Sequence, residues 1–433
     1  MTDIKRERPR RVRRTPGALR HGQVKAQGLG TTIGRFLGSA LGVILVAALS
    51  VSAIALWDIT RGLNSGVALA GDQPAVGPIE GAVNLLLVGS DSREGTDPNV
   101  FDADPGSRLN DVNMVLHINA SHTAATIISI PRDMVVHFPK CPSPDGKSYT
   151  GGWTGPINAT LNEGGLPCIA LTVEELTGLD IQYAAMIGFN GVIQMANAIG
   201  GVDVCVAQDI QDEYTQTFLK AGNHTLTGLA ALQFLRTRHG VGDGSDLGRI
   251  SNQQVFLSSL VRKLKSASTL TNPVALFSLA KAAASNMTLS SSLSGLDTMV
   301  SIAMAMKDIP LDKIVFLQFP GTTGGEGIYS GKVQPDMLSA KALLAAISAE
   351  DAVTLTGQTG RGAIVDTAAP TAAPSATPAA SASSASKAPS SSASSAPAAS
   401  ATPTPTTVAL PQTITGQSAN EYTCSVGRTL SQQ

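Results

Sequence analysis

The sequence predicts an α/β fold in which a central sheet is covered by helices on both faces. Three observations carry this expectation. Short, almost wholly apolar runs such as Asn84–Val88 and Ala125–Ile130 have the length and content of buried strands. Longer runs such as Asp246–Lys265 instead repeat apolar residues at intervals of three and four, the helical period. The two kinds interleave from about residue 80 to residue 350, with Gly or Pro at many junctions.

Taken in order, Asn84–Val88 is the first strand and runs into Gly89, Ser90 and Asp91. Val112–Ile118 alternates and is the second; Ala125–Ile130, stopped by Pro131, is the third. Thr172–Leu176 lies in a helix closed by Gly178. Gln182–Phe189 reads as a strand, Gly191–Ile199 as a helix stopped by Gly200 and Gly201, and Val202–Val206 as a further strand. Leu226–Arg238 and Asp246–Lys265 read as helices; in the second, Ile250, Val255, Phe256, Leu260 and Leu264 keep the period. Lys313–Phe319 is a late strand.

The chain has 433 residues, of which only 15% are charged, and its net charge of −1 argues against nucleic acid as a partner. The charge is unevenly spread. Residues 1–35 hold ten Lys and Arg against Asp3 and Glu7, a net of +8, which leaves −9 for the remainder. Residues 36–57 then carry no charge, and as a helix they span roughly 33 Å, enough for the hydrocarbon core of a bilayer. A cleaved signal peptide or a buried core helix are the alternatives. The run is longer than a signal-peptide core, no small-x-small cleavage site follows it, and Trp57 stands at its far end. The expectation is a retained single-pass transmembrane helix in the cell membrane, with the basic arm cytoplasmic and the rest outside.

Outside the cell, four cysteines favour two disulfides. Three pairings of Cys141, Cys168, Cys205 and Cys424 are possible; Cys141–Cys168 and Cys205–Cys424 are the pair expected, the second tying the far C-terminus to the domain. Residues 58–79 read as a linker and 80–350 as the globular domain. Residues 367–408 are almost entirely Ala, Ser, Thr and Pro with the single charge Lys387, a disordered segment suited to a wall spacer or to O-glycosylation. Residues 412–433 form a short returning piece that contains Cys424.

The candidate chemistry lies at strand and helix ends. Asp91 and Arg93 follow the first strand, Arg108–Asp111 (RLND) opens the second, and Pro131–Asp133 (PRD) leaves the third. If these strands pair, the three ends converge on one edge, where open α/β sheets keep their sites. Arg236, Arg238 and Arg249 then fall within fourteen residues, and Arg249 shares a helix face with Gln253. Arginine forks match phosphate oxygens two at a time, and Asp91 and Asp111 suit Mg²⁺ (or Mn²⁺), so the set resembles a phosphoryl-transfer site. The alternative is structural pairing, for example of Arg249 with Asp243 or Asp246. Under the catalytic reading Arg249 faces solvent and substrate, and Arg249→Lys leaves the melting temperature unchanged. Leu232, Phe234, Phe256, Leu257 and Leu260 read first as core and second as the lining of a tunnel for an apolar chain. His239, beside the Arg pair, is the one histidine placed near the site.

The ordered motifs NLLLVGSDSREG, GSRLNDVNMVLHI, SIPRDM, INATLNEGG, TVEELTGLDIQYAAMIGF, ANAIGGVDV, GNHTLTGLAALQFLRTRHG and DLGRISNQQVFL resemble the LytR-CpsA-Psr family of cell-wall glycopolymer ligases. The resemblance covers roughly residues 82–265, and more weakly to about 350. It implies a single extracytoplasmic α/β/α domain with a central mixed sheet, which binds a polyprenyl-pyrophosphate-linked glycopolymer and passes it to a peptidoglycan hydroxyl. By motif, the metal-associated acids are Asp91 and Asp111. The pyrophosphate-binding residues are Arg108, Arg132, Arg236, Arg238, Arg249 and Gln253; Asp91, Asp111, Arg132 and Arg249 form the catalytic set. Family members commonly have Lys where Pro156 stands, and often Arg where Asn252 stands, so two phosphate-side cations are missing. Ala- and Pro-rich tails with paired cysteines resemble actinobacterial members, for which the polymer is arabinogalactan or a similar one.

The function expected is therefore an Mg²⁺-dependent phosphotransferase of cell-wall assembly, with diphosphate hydrolysis as a side activity. The competing classes are a non-catalytic polyprenyl-phosphate or wall-binding membrane protein and a membrane-bound transcriptional regulator acting through the basic arm. That arm lacks the apolar periodicity needed to build a domain.

Overall fold

The computed structural model describes residues 66–70, 74, 79–98, 100–101, 108–143, 148–266, 273–366 and 406–433. The basic arm at 1–35 and the expected membrane span at 36–57 lie outside the described residues, as do most of 58–79 and nearly all of 367–408. Among the described residues no helix is long and apolar enough to cross a membrane.

The elements that position the site are β1 (Val83–Ser90), β2 (Asn110–Ile118), β3 (Ala125–Ile130), α1 (Thr160–Thr177), β4 (Tyr183–Ile187) and α2 (Phe189–Ala198). Next come β5 (Val202–Val206), β6 (Ile210–Asp212), β7 (Thr217–Leu219), β8 (Gly222–Leu226), α3 (Gly228–Arg236) and α4 (Asp246–Ser266). The chain continues through α5 (Pro273–Asn286), β9 (Met287–Leu289), β10 (Ile314–Gln318), α6 (Met337–Ser348), β11 (Ala363–Val365), β12 (Gly416–Ser418) and β13 (Thr423–Ser425).

The central sheet is mixed, in the order β9-β4-β1-β2-β3-β10-β12. β1 runs parallel to β4 and β3 parallel to β10, while β2 is antiparallel to both of its neighbours. Period-two alternation then divides two apolar rows between the faces. Leu86 pairs with Val115 and Ala184, and Val115 with Ile128; this row packs into the main core with Ile169 and Val173 of α1 and Leu343 and Ile347 of α6. The next row, Leu87 with Met114 and Ala185, faces the opposite way and is covered by α2, α4 and α5. A sheet apolar on both faces explains why β1 and β3 read as continuous apolar runs. The left-handed Gly178 (φ 71°), whose amide bonds Glu174, ends α1 as expected.

A second sheet, in the order β8-β5-β13-β11, packs over α3 and α4. Val202, Val204, Phe234 and Phe256 form its core. The domain is wider than the 80–350 expected. Val67 bridges to Ser290 on the N-terminal side. The segment after residue 406 is not a separate tail piece: Thr407–Ala409 pairs with Ala352–Thr354, β12 adds to the central sheet, and β13 inserts between β5 and β11. The disulfide partners follow from this placement. Cys205 and Cys424 are paired across β5 and β13 and bonded, and Cys141 is bonded to Cys168 of α1.

Candidate active site

The ends of β1, β2 and β3 meet on one edge because β2 runs opposite to its two neighbours. The register passes from Gly89 opposite Val112 directly to Ser90 opposite Asn110, so Asp111 is bulged out of the ladder. A bulge of this kind re-aims one side chain, and here the chain re-aimed is a carboxylate. Gly89 is required beside it, since a Cβ there would lie 2.9 Å from the Val112 Cβ. Beyond the strand, Asp91 N donates to Leu109 O at 3.1 Å and Leu109 N donates to Asp91 Oδ1 at 2.8 Å, which fixes Asp91 at the neighbouring end. Fully buried Asn110 donates to Ile157 O and accepts from Leu161 N, tying the start of α1 to this edge.

Asp111 is gripped by two arginines. Arg132 Nη1 donates to its Oδ1 at 2.8 Å, and Arg249 Nη2 donates to its backbone oxygen at 2.9 Å. The two guanidiniums share Asp246: Arg249 Nη2 lies 2.6 Å and Arg132 Nε 3.4 Å from Asp246 Oδ1. These contacts are close but poorly aligned, for both Asp246 oxygens and both Nε atoms are buried without a hydrogen bond. Burial alone would lower the pKa of Arg132, but Asp111, followed by Asp246 and Asp133, holds it above its ordinary value.

Arg236, the last residue of α3, stands apart electrostatically. Its guanidinium lies over the Phe189 ring at 4.3 Å, and among the described residues it makes no hydrogen bond or ion pair. Burial, then the nearby cations Arg93 and Arg249, lower its pKa, with Asp111 opposing. Among the described residues it is a partly buried cation with no carboxylate in ion-pair contact.

Arg236, Arg249, Gln253 and Asp111 line one end of a cavity of about 400 Å³ whose other walls are apolar. Along α4 the lining stripe is Arg249, Gln253, Phe256, Leu257, Leu260 and Leu264, one helix face that changes from polar to apolar over about 22 Å. The Leu87–Met114–Ala185 row forms the floor.

A charged strand edge opening into an apolar cavity sits wholly within residues 67–345, which match the LytR_cpsA_psr family. The chain belongs to the LytR-CpsA-Psr family. It is similar to the probable cell wall biosynthesis protein LcpB of Corynebacterium glutamicum, 34% identical over 247 residues that make up 56% of this chain and 55% of the relative. It is also similar to the polyisoprenyl-teichoic acid–peptidoglycan teichoic acid transferase TagT of Bacillus subtilis, 31% identical over 199 residues, 45% of this chain and 56% of that protein. The chain thus spans about half the length of these curated relatives. The crystal structure of B. subtilis TagV has the same fold, with a TM-score of 0.50 at 22% identity over 63% of this chain and 98% of that one.

Of the LytR-CpsA-Psr site residues expected from the motifs, the structure brings together Asp111, Arg132, Arg236, Arg249 and Gln253, with Asp91 at the adjoining strand end. Arg238 and Arg108 are absent from the cavity wall. Arg238 turns its Nε to Gly244 O at 3.2 Å, because α3 stops at Arg236 and the backbone extends at Thr237 (ψ 132°); the two arginines do not share a helix. Arg108 is half exposed and pairs at 3.8 Å with Glu94.

Four further expectations are corrected. Arg249 does not face solvent: it is 6% exposed and ion-paired with Asp246, so the structural pairing and the site placement hold together. Leu232, Phe256, Leu257 and Leu260 line the cavity rather than simply filling core, whereas Phe234 is core alone. Asn252 is not a cation lost from the site. It is fully buried, donating to Phe234 O at 2.7 Å and accepting from Ser425 Oγ at 2.6 Å, and so joins α4 to the second sheet. His239 stacks on Tyr214 and is absent from the cavity wall. Asp246 and Phe189 are the members the motifs do not single out, the first as an ion-pair partner of Arg249 and the second beneath the Arg236 guanidinium.

A divalent cation shared with phosphate needs one or two carboxylates and space for water and substrate oxygens. Asp91 and Asp111 end neighbouring strands, and the Asp111 side chain is 25% exposed at the cavity end, so Mg²⁺ or Mn²⁺ fits the donor chemistry of this pair.

Proposed function

We propose that this chain is a single-pass membrane phosphotransferase that moves a glycopolymer from a polyprenyl-diphosphate carrier to a hydroxyl of peptidoglycan, with Mg²⁺ as cofactor. The reading is carried by one observation: the unpaired Arg236 cation stands at the polar end of a long apolar cavity. Such a site suits an amphiphile with an anionic head and a hydrocarbon tail. Arg236 and Arg249 hold the diphosphate, and Arg132 orients Asp111 toward it. The tail lies along Phe256, Leu257 and Leu260. The acceptor hydroxyl attacks the phosphorus that bears the sugar; the bond to the bridging oxygen breaks, polyprenyl phosphate leaves, and Asp111 or Asp91 takes the hydroxyl proton. Mg²⁺, when bound, would neutralise phosphate oxygens in that displacement. Water in place of the acceptor gives diphosphate hydrolysis as a side reaction. Arabinogalactan, or a similar polymer, is the cargo this reading favours, from the resemblance of the Ala- and Pro-rich segment with paired cysteines to actinobacterial members.

The test is purified full-length protein given a labelled polyprenyl-diphosphate saccharide and peptidoglycan, with and without Mg²⁺. Label transferred to the glycan together with released polyprenyl phosphate is the expected outcome. Tight binding of the donor with no turnover under any divalent cation would instead make the chain a carrier-binding protein. For the topology, a reporter active only outside the membrane is expected to work when fused after Gln433 and to be silent when fused before Phe36.

A further inference from the structure

Asp212 lies outside the reacting cluster and contacts neither the cavity nor the arginine–carboxylate pairs, yet it carries the densest hydrogen bonding of any carboxylate among the described residues. It ends β6, which forms a short hairpin with β7, and is 0% exposed. Its Oδ1 accepts from Tyr214 N at 3.0 Å and Thr215 N at 3.3 Å, which closes the hairpin tip. Its Oδ2 accepts from Thr237 Oγ1 at 2.7 Å and from three consecutive amides, Arg238 N at 3.0 Å, His239 N at 3.1 Å and Gly240 N at 3.3 Å.

A buried carboxylate ordinarily recruits a cation. Here no ion pair to Asp212 exists among the described residues; a nest of amides replaces it. Gly240 permits the approach, since a Cβ there would meet the Asp212 Cβ at 3.0 Å. Burial would raise the pKa of the carboxyl, but the bonds from Thr237, Arg238, Gly240 and Thr215 outweigh it and hold it below the usual range. The group is an anion in the folded protein.

What the nest fixes is the exit from α3. Arg236 is the last helical residue, Thr237 N still bonds back to Gln233 O, and beyond it Asp212 takes the amides of the turn while Arg428 Nη1 donates to His239 O at 3.3 Å. A carboxylate close to a helix C-terminus is unfavourable to the dipole, so stabilising the helix is not the reason for its position. On its other side the Arg236 guanidinium rests on Phe189. We propose that Asp212 is a positioning residue, which locks the 237–240 turn so that Arg236 is aimed into the cavity mouth against Phe189, ready for the donor diphosphate. The inference rests on the reading that Arg236 binds that diphosphate.

Two other accounts make different predictions. Asp212 is close enough to Arg236 to raise its pKa. If it acted only through charge, Asp212→Asn would relieve repulsion of an anionic ligand and tighten binding. If it were only a structural staple, the variant would lower the melting temperature and leave binding by folded molecules unchanged. Positioning alone predicts weaker binding despite the loss of a negative charge.

The experiment is calorimetric titration of farnesyl diphosphate into the full chain in detergent micelles, with melting curves for every variant. Asp212→Asn is expected to weaken binding by about tenfold or more. Thr237→Val, which keeps the carboxylate and removes its shortest bond, should weaken it by roughly threefold. Thr177→Val, a control that removes the bond to Val173 O at the end of α1, on the opposite face of the central sheet, should lower stability without moving affinity. Binding to Asp212→Asn as tight as wild type or tighter, while Arg236→Gln loses binding, overturns the positioning role and leaves the proposed function intact. Wild-type affinity in Arg236→Gln overturns the diphosphate reading and the positioning role with it. If Asp212→Asn does not fold, Thr237→Val decides: unchanged affinity there rejects the proposal.

Discussion

Arg249 and Asp246, one helical turn apart on α4, form an ion pair at 2.6 Å in which both side chains are 7% exposed. The same guanidinium donates to the backbone oxygen of Asp111, so one arginine both braces the start of the helix and holds the bulge that presents the carboxylate. Structure and site are coupled here. Removing one partner of a buried pair typically costs about 3–5 kcal/mol, because it leaves the other charge buried and alone.

Arg249→Lys keeps a charge but gives up the fork that reaches both Asp246 and the Asp111 carbonyl. Melting temperature and turnover should therefore fall together, stability by about 1–2 kcal/mol and turnover by about tenfold or more. Melting curves and initial rates on the same preparation check this. An unchanged melting temperature would show that the Asp246 pair contributes nothing.

Asp91 and Asp111 should respond differently to amidation. In Asp91→Asn the Oδ1 that accepts from Leu109 N can be kept while a metal ligand charge is lost. The expected result is a rise of about tenfold in the Mg²⁺ concentration giving half-maximal turnover. Asp111→Asn also strips Arg132 and Arg249 of a partner and should cost stability as well. If Asp91→Asn titrates with Mg²⁺ like the wild type, Asp91 is not a ligand.

Much of the site was legible because strand ends declare themselves locally. Apolar runs stop at Asp91, Asp111 and Pro131–Arg132, and pairing of consecutive strands suffices to bring those ends together. What depended on distant chain was not legible. Arg238 reads as a helix mate of Arg236 until the helix is seen to stop at Arg236, two residues earlier, a boundary set by Asp212 from the β6–β7 hairpin. Asn252 reads as a lost cation until Ser425, 173 residues away, is found bonded to it. The stripe on α4 has one periodicity whether it faces core or cavity, and only the Leu87–Met114–Ala185 row opposite shows which. The strands β12 and β13 are three residues each, too short for a periodic signal.

Buried His117 makes the fold sensitive to acid. Its Nδ1 lies 2.8 Å from Asn84 Oδ1, and the Asn84 amide nitrogen is already committed to Asp180 O, so Nδ1 is the protonated nitrogen. Nε2 is buried without a hydrogen bond, and burial pushes the pKa down from 6.5 to about 4, despite Glu350 at 3.8 Å. Between these values the unfolded chain binds a proton that the folded one refuses. Stability is then complete above pH 6.5 and is lost as pH falls toward 4, by on the order of 3 kcal/mol. Denaturant unfolding of His117→Gln between pH 4 and 7 should lack this slope. An identical slope would place the acid sensitivity elsewhere.

The Cys205–Cys424 bond should hold the C-terminal piece after the chain is cut. With a protease site placed between residues 367 and 405, cleaved protein should run as one species in denaturing gels without reductant and as two with it. Release of the fragment without reductant would mean the bond does not form.

The cavity makes the last prediction. Leu260 lies eleven residues after Arg249 on the lining stripe of α4, about 16 Å along the helix axis from the polar end. A short polyprenyl chain held by its diphosphate near Arg236 and Arg249 would end before Leu260, whereas a long one must pass it. Leu260→Trp fills that stretch. Each displaced methylene forfeits about 0.8 kcal/mol of burial, so excluding even two should weaken a long-chain donor by roughly tenfold or more. A farnesyl donor, which does not reach the obstruction, should keep nearly its wild-type KM. Were the stripe ordinary packed core, the larger ring would strain its neighbours, lower the melting temperature and affect both donors alike. Comparing KM for farnesyl- and undecaprenyl-linked donors on Leu260→Trp therefore separates a lipid channel from a core. A selective loss for the long chain supports the channel, and an equal loss for both rejects it.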